Sequence, residues 1–144
     1  IFFEKKIYNL FNKMKEENFG EHFMLDGYLG NEKKLNDENL VLKSLHDLCT
    51  KMHMLMLSEP KVFFAKGNDE RDPGGWSGVV VIMESHISIH TFPKKGFVSA
   101  DVYTCKNGMN LGLIESYLKE TFELKEVETN FVKRGTKFPV KNIY

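Results

Sequence analysis

The sequence has little cysteine and no long apolar run, and each of these shortages excludes a class of protein. Its two cysteines, Cys49 and Cys105, match neither a CxxC motif nor the spacing of a disulfide framework. The uninterrupted apolar runs are a handful of residues long, far short of the ~20 that cross a bilayer. No secretory signal pattern is visible at the start of the sequence. These absences predict a cytoplasmic protein with no membrane partner.

The net charge of the sequence is zero. The sequence holds 20 Lys and Arg against 20 Asp and Glu, and its pI is near 7.1. Nucleic acids and anionic membranes recruit proteins through a local excess of positive charge, so this balance predicts that neither is a main partner. Apolar residues make up 42% of the 144 residues, enough for an ordinary core. Because no repeat or linker divides the chain, we expect one domain over residues 1–144.

The spacing of apolar residues predicts the elements of this domain. Intervals of three and four predict helices over residues 2–18, 37–57 and 110–122, the second capped by Asp37. Alternation predicts strands over residues 21–29, 61–66, 79–84, 87–92, 97–104 and 124–132. Polar or glycine-rich composition predicts turns or loops over residues 30–37, 67–78 and 93–96, and an exposed or partner-docked tail over 133–144. The fold class is therefore α+β, a two-layer sandwich of a mostly antiparallel sheet with helices packed on one face.

Some residues are expected to serve the core or the chain's turns alone. Cys49 lies on the apolar stripe of the second helix, and Met52, Met54 and Met56 are predicted to pack in the core with the phenylalanines. The Gly74-Gly75 pair is predicted to form a tight turn, because no phosphate-binding glycine motif follows a strand here.

Side chains with catalytic potential are concentrated in and beside two apolar strands. They are Glu84, Ser85, His86, Ser88, His90 and Cys105. Two histidines four apart on a strand share one face, so His86, His90 and Cys105 could build a zinc site, although no fourth ligand is evident. A serine hydrolase is disfavoured because MESHI lacks both glycines of the nucleophile elbow. The same residues could also be buried hydrogen-bonding groups without any chemistry.

The stretch WSGVVVIMESHISIHTFPKKGFVSADVYTC, residues 76–105, resembles the signature region of the prokaryotic S-adenosylmethionine decarboxylases. The SGV, ESHISIHT and DVYTC segments and the proline turn fall at the family's spacing, and the FMLDGY strand adds weaker similarity. Members of that family are pyruvoyl enzymes made as self-cleaving proenzymes. The resemblance implies autocatalytic cleavage of the Glu84–Ser85 bond, which gives a β chain of residues 1–84 and an α chain of residues 85–144.

The resemblance also implies a role for each motif residue. The Ser85 hydroxyl attacks the Glu84 carbonyl, and elimination and hydrolysis of the resulting ester leave a pyruvoyl group at residue 85. His90 matches the base of this processing reaction, which suits an imidazole with its ordinary pKa near ~6.5. Ser77 matches a serine that assists processing. Cys105 matches the proton donor of decarboxylation, since an ordinary thiol with a pKa near ~8.5 is mostly protonated at neutral pH.

The covalent pyruvoyl group takes the place of pyridoxal phosphate as the acceptor of electrons. No metal and no dissociable cofactor are implied. Strand geometry conflicts with the joint action of Ser85 and His90. Ser85 and His90 are an odd number of residues apart, so a regular strand would direct them to opposite faces. We therefore expect a bend, a bulge or the chain break itself between them.

The substrate-binding residues depart from the family pattern. Two aromatic rings stack on adenine in the family and a carboxylate binds the ribose. Phe92 takes one aromatic position, whereas Lys94 stands where the usual HTWPE pattern has glutamate. Acidic residues occupy the loop where the second ring is expected, and Trp76 could compensate for that ring. The candidate substrate-binding residues are Phe92, Glu84, Trp76, Asp69, Glu70 and Asp72.

Because of these departures, two classes of substrate are possible, S-adenosylmethionine and a basic amino acid. The first expectation is the conversion of S-adenosylmethionine to its decarboxylated form, the aminopropyl donor of polyamine biosynthesis. A loop rich in carboxylates suits a substrate with a distal cation, so an L-ornithine or L-arginine decarboxylase is the alternative. The acidic loop could also be a solvated surface.

A non-catalytic regulatory paralogue is a second alternative. The joint presence of Ser77, Ser85, His90 and Cys105 argues against it, because an inactive copy would be free to lose any of them. The resemblance further implies a homodimer of αβ protomers with sites near the subunit interface. The first helix and the tail could extend that contact.

Overall fold

The computed structural model describes residues 1–15, 18–68, 71 and 73–138, and within the first helix it describes side-chain burial for residues 1–8. The acidic loop residues Asp69, Glu70 and Asp72 and the tail residues 139–144 lie outside the described residues. Four helices are α1 (Phe2–Lys15), α2 (Glu32–Leu35), α3 (Glu38–Lys51) and α4 (Leu111–Thr121). Six strands are β1 (Gly20–Tyr28), β2 (Lys61–Lys66), β3 (Gly74–Ile82), β4 (Ser85–Phe92), β5 (Phe97–Thr104) and β6 (Glu126–Arg134).

The alternating segments form one sheet. Its strand order is β2-β3-β4-β5-β1-β6, and every neighbouring pair is antiparallel. Helices α3 and α4 pack against β3 and β1, which covers one face of the sheet. The predicted α+β fold with an antiparallel sheet is therefore confirmed.

Period-two alternation divides the strand residues between a core and an opposite face. Fully buried side chains from α3, α4 and the central strands fill the space between sheet and helices: Leu25, Leu45, Leu48, Val80, Ile87, Ile89, Val98, Ile114 and Leu118. The alternate strand positions point away from this core. We call that side the open face, and it carries Ser77, Val79, Val81, His86, His90 and Tyr103. Val79 and Val81 are exposed on it.

Helix ends follow local capping chemistry. The Asp37 side chain accepts the Leu40 N–H at 3.1 Å at the start of α3, as predicted. The end of that helix was predicted six residues too late, at Leu57 rather than Lys51. His53 there has a φ of 53°, and the Met54 N–H bonds to the Cys49 carbonyl at 2.8 Å, which is a Schellman ending. Leu55 consequently lies outside the helix and is exposed.

Two other predictions differ from the structure for identifiable reasons. Residues 30–37 contain the short helix α2, whose Leu35 is fully buried. Strand β3 begins at Gly74 rather than at Val79, so Gly74-Gly75 lies in a strand and is not the predicted tight turn. A Cβ on Gly75 would lie 1.8 Å from the Thr91 carbonyl oxygen, so glycine serves here for close backbone approach.

The remaining core predictions hold for Cys49 and the methionines but not for all phenylalanines. Phe23 and Phe122 are buried, whereas Phe2 and Phe3 on α1 and Phe63 and Phe64 on the edge strand β2 are exposed. Cys49 is buried, and Met52, Met54 and Met56 pack against the core. The predicted tail joins the fold at its start, because β6 continues to Arg134 and the Phe138 ring lies 4.7 Å from that of Phe19. None of the described helices is long and apolar enough to cross a membrane.

The packing of α3 on the sheet predicts that alanine substitutions of two of its leucines destabilise the protein to different extents. Leu45 is fully buried and Leu42 is 38% exposed. We expect Leu45→Ala to cost about 2–5 kcal/mol through lost burial and a residual cavity. We expect Leu42→Ala to cost no more than about 1 kcal/mol. Thermal unfolding followed by circular dichroism measures both, and equal midpoints for the two variants would contradict this packing.

Candidate active site

The site begins at the hairpin that joins β3 to β4. Only Met83 and Glu84 connect the two strands, and the peptide bond between them is cis. Ser85 is the first residue of β4 and pairs with Ile82. Met83 and Glu84 are exposed, whereas Ser85 lies on the buried side of its strand with Ile87. The hairpin therefore places an exposed peptide directly before a buried serine.

The Ser85 hydroxyl has no hydrogen-bond partner. Among the described residues it is the one buried side-chain nitrogen or oxygen in this condition. Such a group costs about 1–3 kcal/mol and in a native protein calls for an explanation. An unengaged hydroxyl directly after the Glu84 carbonyl is free to attack that carbonyl. The residue thus fits the role of a pyruvoyl precursor.

Ser77 and His90 form a second feature, on the open face. The two residues are directly opposite in the β3–β4 ladder. Ser77 Oγ and His90 Nδ1 are hydrogen-bonded at 2.8 Å, and the histidine tautomer decides which atom donates. This pair can hold the imidazole in one orientation and so prepare it to accept or deliver a proton.

Cys105 lies near the hairpin, directly after β5. Its thiol donates to the Met83 carbonyl oxygen at 3.7 Å, so the sulfur is at the same end of the sheet as Ser85. The other cysteine is chemically different. Burial raises the pKa of the Cys49 thiol to about 11, which keeps it protonated and unreactive within the core.

The four motif residues lie in two separate places: Ser77 with His90, and Ser85 with Cys105. The β3–β4 ladder runs without a bulge from the Ser77–His90 pair to the Ile82–Ser85 pair. His90 follows Ser85 by five positions along β4, which corresponds to about 17 Å at the usual rise per residue. The bend or bulge predicted between them is absent from this unbroken strand, because both of its neighbours hold it in regular register. Within one copy, His90 does not reach Ser85.

The zinc alternative has no geometric support in the part of the chain that the structure describes. No group of three or more His, Cys, Asp or Glu side chains converges there on a common point. The His86 ring instead lies 5.6 Å from that of Tyr103, edge to face.

The substrate-binding candidates are distributed on both sides of the sheet. Phe92 lies on the open face, with its ring 5.4 Å from that of Phe97. Trp76 neighbours Ser77 on β3 and points to the opposite side, where it packs against the core. Its indole N–H donates to the Asn36 carbonyl at 3.1 Å. In one copy, Trp76 and Phe92 cannot stack on the same adenine.

Lys94 lines a cavity that the sequence did not reveal, and the charged residues described around it are mostly cationic. This cavity of about 970 Å³ is also lined by Lys66, Lys95 and Glu32. Three ammonium groups against one described carboxylate differ from the glutamate that the family pattern has at this position. The chain brings Lys66 and Lys94 together only through the sheet, so their neighbourhood had no local sequence signal.

Sequence reasoning also missed a polar network near Cys105. Glu21 is buried, and its carboxylate accepts N–H groups from the segment between Cys105 and α4. A signal was available, because the alternation of β1 places Glu21 on the same side as Phe23 and Leu25. A carboxylate at a predicted core position indicates a specific partner.

The chain is similar in sequence to proteins of known function. A family profile described as S-adenosylmethionine decarboxylase matches residues 21–135. The S-adenosylmethionine decarboxylase proenzyme of Acetivibrio thermocellus is 36% identical over 123 residues, which cover 85% of this chain and 94% of that protein. The proenzyme of Thermococcus kodakarensis is 46% identical over 63 residues, which cover 44% of each chain.

A solved structure has the same architecture. The crystal structure of the adenosylmethionine decarboxylase from Aquifex aeolicus superposes with a TM-score of 0.71 at 25% identity. The superposition covers 83% of this chain and 92% of that one.

The different surroundings of the two cysteines predict different reactivity. We expect iodoacetamide at pH 8 to alkylate Cys105 in the native protein at least about tenfold faster than Cys49, because the thiolate is the nucleophile and access is required. Peptide mass spectrometry over a time course measures both rates. Both thiols should react at similar rates in urea, and similar rates in the native protein would contradict the assigned burial.

Proposed function

Because the chain belongs to the S-adenosylmethionine decarboxylase family, we propose that it decarboxylates S-adenosylmethionine with a pyruvoyl group made from its own Ser85. The relatives carry this activity in their names, and the residues that match the family profile, 21–135, include the hairpin and Cys105. The unpartnered, buried hydroxyl of Ser85 is the observation on which the proposal depends. A structural serine in that position would be expected to have a partner.

Cleavage at the hairpin would leave the fold intact. The proposed cut between Glu84 and Ser85 assigns β1, β2 and β3 to one chain and β4, β5 and β6 to the other. In the sheet order β2-β3-β4-β5-β1-β6, strands of the two chains are interleaved, so the three pairings β3–β4, β5–β1 and β1–β6 join them. The products would therefore remain a single domain.

Processing needs only groups of the chain itself and one water. The Ser85 oxygen bonds to the Glu84 carbonyl carbon, the amide C–N bond breaks, and the released nitrogen takes the hydroxyl proton. A base then removes the Cα proton of residue 85, the Cβ–Oγ bond breaks, and Glu84 leaves as a carboxylate. The dehydroalanine tautomerises to an imine, which water hydrolyses to a ketone with release of ammonia.

Decarboxylation would then combine the new group with Cys105. A pyruvoyl group supplies a ketone that can condense with the substrate amine and an adjacent carbonyl that accepts electrons as carbon dioxide leaves. Cys105 lies beside the hairpin, through its contact with the Met83 carbonyl, and carries a proton that it can deliver to the substrate Cα. No metal and no dissociable cofactor enter this scheme.

A second copy of the chain would complete the site. The Ser77–His90 pair is about 17 Å from Ser85 along β4, too far for proton transfer in one copy. Both residues lie on the open face, which also exposes apolar side chains, among them Phe63, Val79, Val81 and Val132. A two-fold contact between open faces would cover these side chains and could bring each His90 to the partner's hairpin. We therefore propose a homodimer whose two sites are each built from both copies.

The compartment in this proposal is the cytoplasm. Both cysteines are free thiols, which is the state maintained in a reducing compartment.

Substitution of Ser85 tests the proposed function. We expect Ser85→Ala to remain a single chain on denaturing electrophoresis and to release no carbon dioxide, because alanine has no hydroxyl to attack Glu84. Ser88→Ala, on the same strand, is the matched control and should be cleaved normally. Carbon dioxide release is measured from S-adenosylmethionine, ornithine and arginine in parallel. Release of carbon dioxide from ornithine or arginine but not from S-adenosylmethionine would contradict the proposed substrate. Normal cleavage of Ser85→Ala would contradict the proposed chemistry.

The two-copy site has its own test by complementation. His90→Ala and Ser85→Ala chains, each expected to stay uncleaved alone, are produced together with different affinity tags. In a mixed dimer the intact Ser85 faces the intact His90 of the other copy, so we expect cleavage of the His90→Ala chain only. A mixed dimer in which both chains stay intact would contradict the shared site.

A further inference from the structure

The segment between Cys105 and α4 is held by a buried carboxylate on another strand. Glu21 is in β1, paired with Thr104 in the sheet. Its Oε1 accepts the Gly108 N–H at 2.9 Å, and its Oε2 accepts the Met109 N–H at 3.0 Å. Glu21 is only 7% exposed, so both charge-assisted bonds are shielded from water. One side chain thus fixes two consecutive peptide groups of this segment.

A pair of asparagines fixes the same segment from the same side. The Asn18 amide donates to Asn107 Oδ1 at 2.7 Å, and the Asn107 amide donates back to the Asn18 carbonyl at 3.0 Å. Asn18 is 8% exposed. Asn18, two residues before β1, and Glu21 within it therefore contact three consecutive residues, 107–109, shortly after Cys105.

Strand β1 also packs closely against the backbone on the N-terminal side of Cys105. A Cβ on Gly20 would lie 2.1 Å from the Thr104 carbonyl oxygen and 3.0 Å from the Cys105 Cα. Thr104 Oγ1 in turn accepts the Lys106 N–H at 3.1 Å. Cys105 therefore lies between two segments that are each held against β1, although its own side chain makes no described contact with that strand.

From this arrangement we infer that Glu21 is a positioning residue for Cys105. By holding the Gly108 and Met109 peptides, its carboxylate limits the movement of the segment that carries the thiol and keeps Sγ directed at the Met83 carbonyl. The role of Cys105 as a proton donor rests on the proposed function. The placement of the thiol by Glu21 does not, and it can be measured without any substrate.

The test compares Glu21→Ala and Glu21→Gln with Glu126→Gln, which alters an exposed carboxylate on β6. The glutamine variant has the shape of the native side chain, but one of its two terminal atoms can no longer accept an N–H. If Glu21→Ala does not fold, Glu21→Gln still provides the comparison. The first measurement is the rate at which iodoacetamide alkylates Cys105 in the native protein, with Cys105→Ala to assign the modified peptide. The second is cleavage at Ser85, and the third is kcat and KM for carbon dioxide release.

We expect the alkylation rate of Cys105 to rise roughly threefold or more in Glu21→Ala and by a smaller factor in Glu21→Gln, because a released segment exposes the thiol. Cleavage should still go to completion. We expect kcat to fall about 10- to 100-fold with little change in KM, as for other displaced catalytic groups. Glu126→Gln should match the wild type in all three measurements.

Unchanged alkylation and unchanged kcat in both Glu21 variants, with a lowered melting temperature, would overturn the inference and leave Glu21 a purely structural residue. Failure of the proposed function has a different signature. In that case the wild type itself releases no carbon dioxide, while the alkylation rate still responds to the Glu21 substitutions.

Discussion

The two-residue connection between β3 and β4 is the constraint on which the rest of the site depends. Because Met83 and Glu84 alone span the gap, Ser85 must begin β4 on its buried side, where its hydroxyl finds no partner. A longer loop would let that hydroxyl turn to water or to a backbone group. The same connection leaves the preceding peptide exposed and within contact of Cys105. A hydroxyl that is costly to bury without a partner is thus placed next to the peptide bond that we propose it cleaves.

The sheet makes this arrangement tolerable. Its strand order interleaves the two halves of the chain, so a break at the hairpin removes one covalent bond and none of the strand pairings. The same regular pairing keeps His90 at the far end of β4 from Ser85. In the proposed scheme, the regular strands preserve the domain after cleavage, and they leave a second copy to supply the processing base. The exposed valines of the open face are consistent with a contact between two copies.

Much of this could be predicted from the sequence, because it depends on local patterns. Strands β2 and β5 have their predicted bounds, and Asp37 caps α3, since alternation and capping are properties of neighbouring residues. The motif around Ser85 identified the family by its spacing. Two failed predictions, the end of α3 and the short helix α2, concern local chain geometry. The others depend on contacts between distant segments. Gly75 suggested a turn because nothing local reveals its approach to Thr91, and the clamp of Glu21 on Gly108 joins residues far apart in sequence.

Intact mass of the purified protein under denaturing conditions tests the central claim most directly. The account predicts two chains, one ending at Glu84 and one of residues 85–144 that is lighter by one ammonia than the same chain with an amino-terminal serine. That deficit distinguishes pyruvoyl formation from proteolysis. A single uncleaved chain, or a second chain that retains the full mass of its serine terminus, would contradict the account.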